Sequence, residues 1–488
     1  MIDKFQTALA SKLPPGSFIR NVVTLMTGTT FAQALMILVA PILTRLYNPD
    51  DFGVYALYTS ILGILAVVAC WRYELAIVLP EKDEDAANLL VLSICICFGM
   101  ALLTLVLVVL FRNPVANLLG APGLAPWLWF MPLSLIAAGL FQAFNYWSTR
   151  RKQFRRLAVR QITQSTVTAA TQLGTGFALH PGPGGLIGGS IAGQVTATGR
   201  LAWQIVKDEG KQFLAYIRRK DLYRVCIRFR KFPIYDSWSG LLNTASTMLP
   251  ALLLGYFFTP AIVGYYALGQ RVLSLPMGVI GGSIAQAFYP RAAEARHSGN
   301  LDKITFAVFQ QLLAIGLVPL LLITIVAPDL FALVFGSRWW TAGEYVRWLS
   351  LWLLFVFISS PLSNIYSVLE RQKAGLIVNA VMFSTRLLAL IIGGLKGDAL
   401  FTIALFGLTG AILWIFNCAY ILNMTGTPPL KVLTAILQET IRSLPFALIP
   451  IIIWFLSKST LAFVLAGVFA GVIFLILKVN QLKTGELT

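Results

Sequence analysis

The 488-residue chain is 57% hydrophobic and 12% charged, with a mean hydropathy of +0.77, which excludes a water-soluble globular domain. Its formal charge of +18 does not signal nucleic acid, because most of the excess falls in connections between apolar stretches, where it faces anionic lipid headgroups. The five cysteines (Cys70, Cys95, Cys97, Cys226, Cys418) have neither metal nor disulfide spacing.

Met1 to Ser17 is polar and closed by Pro14-Pro15, so no cleavable signal is expected and the first apolar stretch serves for insertion. Fourteen spans of about 20 residues are expected. They are 21–44, 53–79, 87–111, 126–148, 159–179 and 185–206, then 233–258, 262–289, 304–327, 346–369, 374–395 and 400–423, then a last pair at 443–457 and 460–478. Pro445 and Pro450 interrupt the short thirteenth stretch, so twelve spans and a re-entrant hairpin is the alternative count. The expected fold is an all-α polytopic membrane protein. Residues 1–206 form a tail and a six-helix lobe, 207–232 a basic linker, 233–424 a second six-helix lobe, and 425–488 an additional helix pair with a tail.

Of 38 Lys and Arg, 29 fall in every second connection or in the tails, 6 in the other connections and 3 inside spans. Basic residues collect on the cytoplasmic side, so both termini are expected there, in the bacterial cytoplasmic (inner) membrane. One inner connection carries Arg150, Arg151, Lys152, Arg155, Arg156 and Arg160. The next, Lys207 to Lys231, mixes nine basic residues with Phe213, Tyr216, Ile217 and Tyr223, the composition of a helix lying on the membrane surface. The outer connections are too small to hold a domain, which favours moving a substrate over modifying one. Glu81-Lys-Asp-Glu-Asp85 precedes a helix, where acids suit the N-terminal dipole better than a metal.

Pro49-Asp-Asp-Phe-Gly53-Val-Tyr55-Ala56-Leu57 recurs as Pro260-Ala-Ile-Val-Gly264-Tyr-Tyr266-Ala267-Leu268. Both copies lead into the second span of a six-span set. Six is even, so the copies share orientation, which is a parallel pseudo-two-fold repeat with a substrate site between the halves.

A charge in mid-membrane costs about 2.5–3.5 kcal/mol on insertion scales, so it normally faces a bundle interior or a wet cavity. Arg271 lies roughly 10 Å below the outer surface and Arg386 roughly 18 Å from the inner one. Arg20, Arg45 and Arg72 sit nearer span ends, where snorkelling competes with ligand contact. Few acids accompany them: Glu74, Asp236 and Glu370 are placed near the inner surface. The excess is cationic, so an anionic ligand is expected. Asn21, Gln33, Gln142, Asn145, Asn243, Gln270 and Gln286 supply amides, which donate and accept as sugar hydroxyls require, or else join helices. Pro41, Pro132, Pro250, Pro276, Pro319 and Pro361 permit kinks, and Gly185, Gly189 and Gly193 form a small-residue packing face.

The ordered set Arg72-Tyr-Glu74, Leu79-Pro80, Tyr146-Trp147, Arg150, Arg230-Lys-Phe-Pro233, Arg271-Val-Leu-Ser-Leu-Pro276, Phe288-Tyr-Pro-Arg291, Ser359-Ser-Pro361 and Glu370-Arg-Gln372 resembles the oligosaccharide flippases. These are the Wzx-type polysaccharide transporters of the multidrug/oligosaccharidyl-lipid/polysaccharide exporter superfamily. The resemblance covers about residues 20 to 425. It implies two lobes that open alternately to each side, and translocation of undecaprenyl-diphosphate-linked repeat units for O-antigen, capsule or exopolysaccharide. No cofactor is expected beyond a coupling ion of unnamed identity, and the expected partners are the lipid-linked oligosaccharide, membrane lipids and other polysaccharide-assembly proteins. The alternatives are an ion-coupled multidrug exporter of the same superfamily, which needs an embedded acid, and a glycan polymerase or ligase, which needs a large outer loop.

The basic asymmetry makes a topological prediction. A phosphatase reporter joined after His180 is active outside the cytoplasm, and one joined near Arg219 is inactive. The opposite pattern inverts the orientation.

Overall fold

The computed structural model describes residues 18–178, 181–276 and 282–484. Every long element is an α-helix, and no strand occurs among the described residues. Hydrocarbon offers the backbone no hydrogen-bond partners, so each span satisfies its own N–H and C=O groups internally. The first unit contains α1 Phe18–Leu46, α2 Pro49–Val67, α3 Asp83–Leu118, α4 Met131–Arg150, α5 Phe154–Ala178, α6 Pro183–Tyr216, the short α7 Arg219–Arg228 and α8 Ser237–Phe257. Then come α9 Pro260–Pro276, α10 Gly282–Ser298, α11 Leu301–Phe335, α12 Trp340–Leu362, α13 Gln372–Lys396, α14 Ala399–Met424, α15 Pro429–Ser457 and α16 Thr460–Thr484. Proline opens α2, α6, α9 and α15, where its missing N–H costs nothing. Left-handed Gly397 ends α13, and the Asp398 carboxylate accepts the Phe401 N–H at 3.0 Å to start α14.

Among the described residues, ten helical stretches are long and apolar enough to cross a membrane, and Pro122–Leu128 with α4, bent by 59°, makes an eleventh if they form one span. Two of the other expected spans coincide with polar or glycine-rich helices. Of the expected span 159–179, residues 159–178 lie in α5, which carries Arg160, Gln161, Gln164 and Gln172, and 185–206 lie in α6, which is rich in glycine. The expected span 262–289 includes 277–281, which are outside the described residues; on either side of them stand α9 and α10. The expected span 53–79 breaks. Helix α2 ends at Val67, and a tight turn follows with Trp71 and Arg72 at φ 49° and 62° before the short helix Tyr73–Ala76. Two successive non-glycine residues in the left-handed region are a strained arrangement that the surroundings must hold.

The chain packs as two compact units, residues 1–264 and 265–488. The proposed linker 207–232 is occupied by the end of α6 and by α7, and α8 lies along α2 within the first unit. The repeated motifs meet there. A Cβ on Gly53 would collide with the Pro260 carbonyl, and one on Gly264 with the Pro49 carbonyl. Each helix therefore rests its glycine on the proline of the other. Gly185, Gly189 and Gly193 give α6 a similar close approach, to Tyr47, Gln172 and Thr168 respectively.

Charge fastens the polar end of the first unit. Asp83 receives Arg150 and Arg151, each at 2.9 Å. Glu209 accepts from the Trp147 indole at 3.0 Å, from Arg151 at 3.2 Å and from Arg156 at 3.3 Å. Asp85 holds Arg224 on α7, and this hydrogen bond raises the guanidinium above its ordinary pKa. The acidic run 81–85 thus works as an anchor for arginines and as the start of α3.

Candidate functional site

Polar groups within the spans fall into two classes: those with protein partners and those without. Gln142 belongs to the first. Its amide donates to the Ala66 carbonyl at 3.0 Å and ties α4 to the last turn of α2, just before the break. Arg45 ends α1, where a cation suits the helix dipole, and is exposed. Gln33 and Asn145 are half-buried and Asn243 on α8 is exposed. Arg20 and Asn21 lie on α1 and Gln286 on α10, but their side chains are outside the described set.

Arg72 sits at the break itself. Its guanidinium rests against Gly240 of α8, in space that any Cβ would fill. It stands 4.0 Å from Glu74, whose side chain is fully buried. Neither Glu74 oxygen nor the Arg72 Nε has a hydrogen-bond partner among the described residues. This is an ion pair at contact limit, with the Glu74 carboxylate buried and its hydrogen-bonding capacity unused among the described residues. Such a pair adds little net stability, yet removing one partner leaves a buried charge and costs several kcal/mol.

Arg160 was grouped by sequence with the surface arginines that precede it. Six residues into α5, it is 95% buried, with its guanidinium carbon 3.3 Å from the centre of the Phe141 ring. Its Nε has no hydrogen-bond partner among the described residues. The signal in the sequence is Leu157-Ala158-Val159, an apolar interval that separates Arg160 from the arginine run.

The second unit holds two half-buried cations within its helices. Arg271 on α9 is half-buried and has no ion pair among the described residues, and Gln270 beside it is also half-buried. Arg386 on α13 lies 5.2 Å from the centre of the Trp352 ring. Tyr266 of α9 is close enough to interact electrostatically with that guanidinium. The Tyr266 hydroxyl and the Trp352 indole N–H are both buried without hydrogen-bond partners among the described residues. A buried donor left unsatisfied costs about 1–3 kcal/mol. Arg386 thus stands by Trp352 and Tyr266, a cation with two unused donors, and no ion pair engages it among the described residues. Cation–π contact leaves the hydrogen bonds of a guanidinium unused.

Comparisons with known proteins agree with a carrier fold. A family model described as polysaccharide biosynthesis protein matches residues 42–344, more than half of the chain. The succinoglycan biosynthesis transport protein ExoT of Rhizobium meliloti (strain 1021) is 24% identical over 342 residues, 68% of this chain and 65% of ExoT. The lipopolysaccharide biosynthesis protein WzxC of Escherichia coli (strain K12) is 20% identical over 370 residues, 74% of this chain and 71% of WzxC. The match thus spans slightly less than two thirds of ExoT. Among solved structures, lipid II flippase MurJ in an inward closed conformation superposes with a TM-score of 0.67 at 16% identity, covering 94% of this chain and 99% of MurJ. An inward-facing multidrug resistance MATE family transporter of the MOP superfamily gives 0.62 at 16% identity, covering 81% and 96%. At these identities the likeness shows the fold.

The Arg72–Glu74 pair makes a prediction about folding. Arg72→Ala strands the Glu74 charge and destabilises the protein by about 3 kcal/mol, read as a lowered melting temperature in detergent. Glu74→Gln added to Arg72→Ala recovers most of that loss, because no charge is then left unpaired. A double variant no more stable than Arg72→Ala shows that the two side chains do not act as a pair.

Proposed function

We propose that this chain, which belongs to the polysaccharide biosynthesis protein family, is a flippase. It carries undecaprenyl-diphosphate-linked oligosaccharide from the inner to the outer leaflet of the bacterial cytoplasmic membrane for surface polysaccharide assembly. The names of the relatives support the substrate class: one is a succinoglycan biosynthesis transport protein, the other a lipopolysaccharide biosynthesis protein. The observation that carries the reading is Arg386, half-buried beside the unused Tyr266 hydroxyl and Trp352 indole N–H with no acid paired to it among the described residues. A diphosphate supplies the missing charge and several acceptor oxygens.

In this reading Arg386 and Arg271 hold the diphosphate, Arg72, Arg45 and Arg20 assist along its path, and the amides Asn21, Gln33, Asn145, Asn243, Gln270 and Gln286 meet the sugars. Gln142 has one amide N–H engaged by the Ala66 carbonyl, so its second N–H and its carbonyl oxygen are the atoms available to a hydroxyl. The lipid tail stays in the bilayer. Two six-helix lobes alternate access, and both termini face the cytoplasm. Carrying about two negative charges outward across an inside-negative ~100 mV releases roughly 4–5 kcal/mol. A coupled ion then assists or resets the carrier without being needed for direction.

Arg271→Ala or Arg386→Ala is expected to reduce surface glycan at least tenfold, the loss of about 1.4 kcal/mol or more in charge-assisted binding. Lipid-linked intermediate accumulates inside the cell at matched protein levels in the membrane. Arg→Lys rescues in part, since Lys keeps the charge but lacks the planar fork, and Arg→Glu is no better than Ala. Normal export by both Ala variants removes these residues from the substrate site.

A further inference from the structure

Helices α15 and α16 cover one face of α11, and the seam between them changes character along its length. Toward the α15–α16 turn it is apolar: Val326 packs with Phe463 and Val464, then Val318 and Leu322 with Ala470 and Phe474. Beyond Phe474 it opens into a recess of about 140 Å³ lined by Gln310 and Gln311 of α11, Glu439 and Arg442 of α15, and Lys478 of α16. Arg442 lies roughly 15 residues, about 22 Å, from the Ser457 end of α15, and Lys478 roughly 18 residues, about 27 Å, from Thr460. A hydrocarbon core is about 30 Å thick. The recess therefore stands near the far edge of the hydrocarbon core, where its long cationic side chains reach the ester and phosphate groups of one leaflet, the cytoplasmic one in the orientation proposed above.

Its charge is unbalanced. Arg442 donates to Glu439 at 2.7 Å, which uses the one acid. Lys478 then has no hydrogen bond or ion pair among the described residues, and the exposed amides of Gln310 and Gln311 are likewise unengaged. Two cations against one acid leave a net +1. Ala307, Ala314 and Ile315 of α11 complete the lining with apolar surface, and Leu475 and Leu477, on the turn of α16 that carries Lys478, are exposed to acyl chains. The pocket has room for a phosphate and its glycerol, and not for a diphosphate that carries a row of sugars.

We propose that this recess binds the phosphate of an anionic phospholipid from the leaflet that surrounds it, seating the lipid between α11 and the α15–α16 pair. Lys478 and Arg442 contact the phosphate, and Gln310 and Gln311 donate to its ester and glycerol oxygens. Basic pockets between spans are suited to such headgroups.

Native mass spectrometry of the full-length protein in detergent, titrated with phosphatidylglycerol or phosphatidylcholine, tests this. The wild type is expected to retain phosphatidylglycerol preferentially. Arg442→Gln and Lys478→Gln each weaken that retention about fivefold and leave phosphatidylcholine binding unchanged, while Lys478→Arg keeps the preference. Intact mass and melting temperature, measured on the same samples, establish that each variant is folded; the Lys478→Arg arm carries the test if a Gln variant is not. Equal retention of the two lipids by the wild type overturns the proposal. So does loss of the preference in a folded Lys478→Arg variant. Displacement by equimolar inorganic phosphate makes the ligand a free anion and also overturns it, as does a preference for undecaprenyl phosphate over phosphatidylglycerol.

Discussion

A guanidinium cannot lie unpaired in hydrocarbon without cost, and the arrangement of arginines in this protein follows from that constraint. At the polar end of the first unit Arg150, Arg151 and Arg156 are matched by Asp83, Asp208 and Glu209, in a network that also takes in the Trp147 indole. These charges hold helix ends together and are fully used. Within the helices the pattern differs. Arg160 meets Phe141, Arg386 meets Trp352, and Arg72 meets Glu74 only at 4.0 Å. Aromatic faces soften the cost of burying a cation but do not consume its hydrogen bonds. This unused capacity separates these arginines from the fully paired ones at the helix ends.

Keeping such charges requires a frame that closes tightly elsewhere, and glycine supplies much of it. Gly53 and Gly264 bring two helix starts to backbone contact, while Gly189 and Gly193 set α6 against α5. The break after Val67 has another consequence. By leaving the helix, the chain turns Arg72 against Gly240 and buries Glu74, which a continuous helix would have carried past. Strain at Trp71 and Arg72 is thus coupled to the position of a cation.

Most of the spans were legible because an uninterrupted apolar run has one stable backbone solution in lipid. The role of the acidic run before α3 follows from local chemistry as well. The break in α2 was not legible: Val68-Ala-Cys-Trp-Arg72 contains no glycine or proline, and only tertiary packing makes its left-handed turn. Arg160 was hidden by its neighbours, since a run of basic residues reads as surface until burial separates its last member. Gln142 shows the opposite limit. An amide in a span suits a sugar or a backbone carbonyl equally well, and the Ala66 carbonyl at the end of α2 took its N–H. Tyr266 and Trp352 looked like ordinary aromatic packing, and their significance rests on partners that the fold does not provide.

The account depends on recognition of a diphosphate by cations inside the membrane. The most direct measurement is translocation by the purified protein in liposomes, with an inside-negative potential, of two fluorescent glycolipids. Both carry the same isoprenoid tail and sugars, one through a diphosphate and one through a neutral ether. The account predicts that the diphosphate lipid crosses at a rate that rises with the potential, and that the neutral lipid stays at the protein-free rate. Equal transport of both would contradict it.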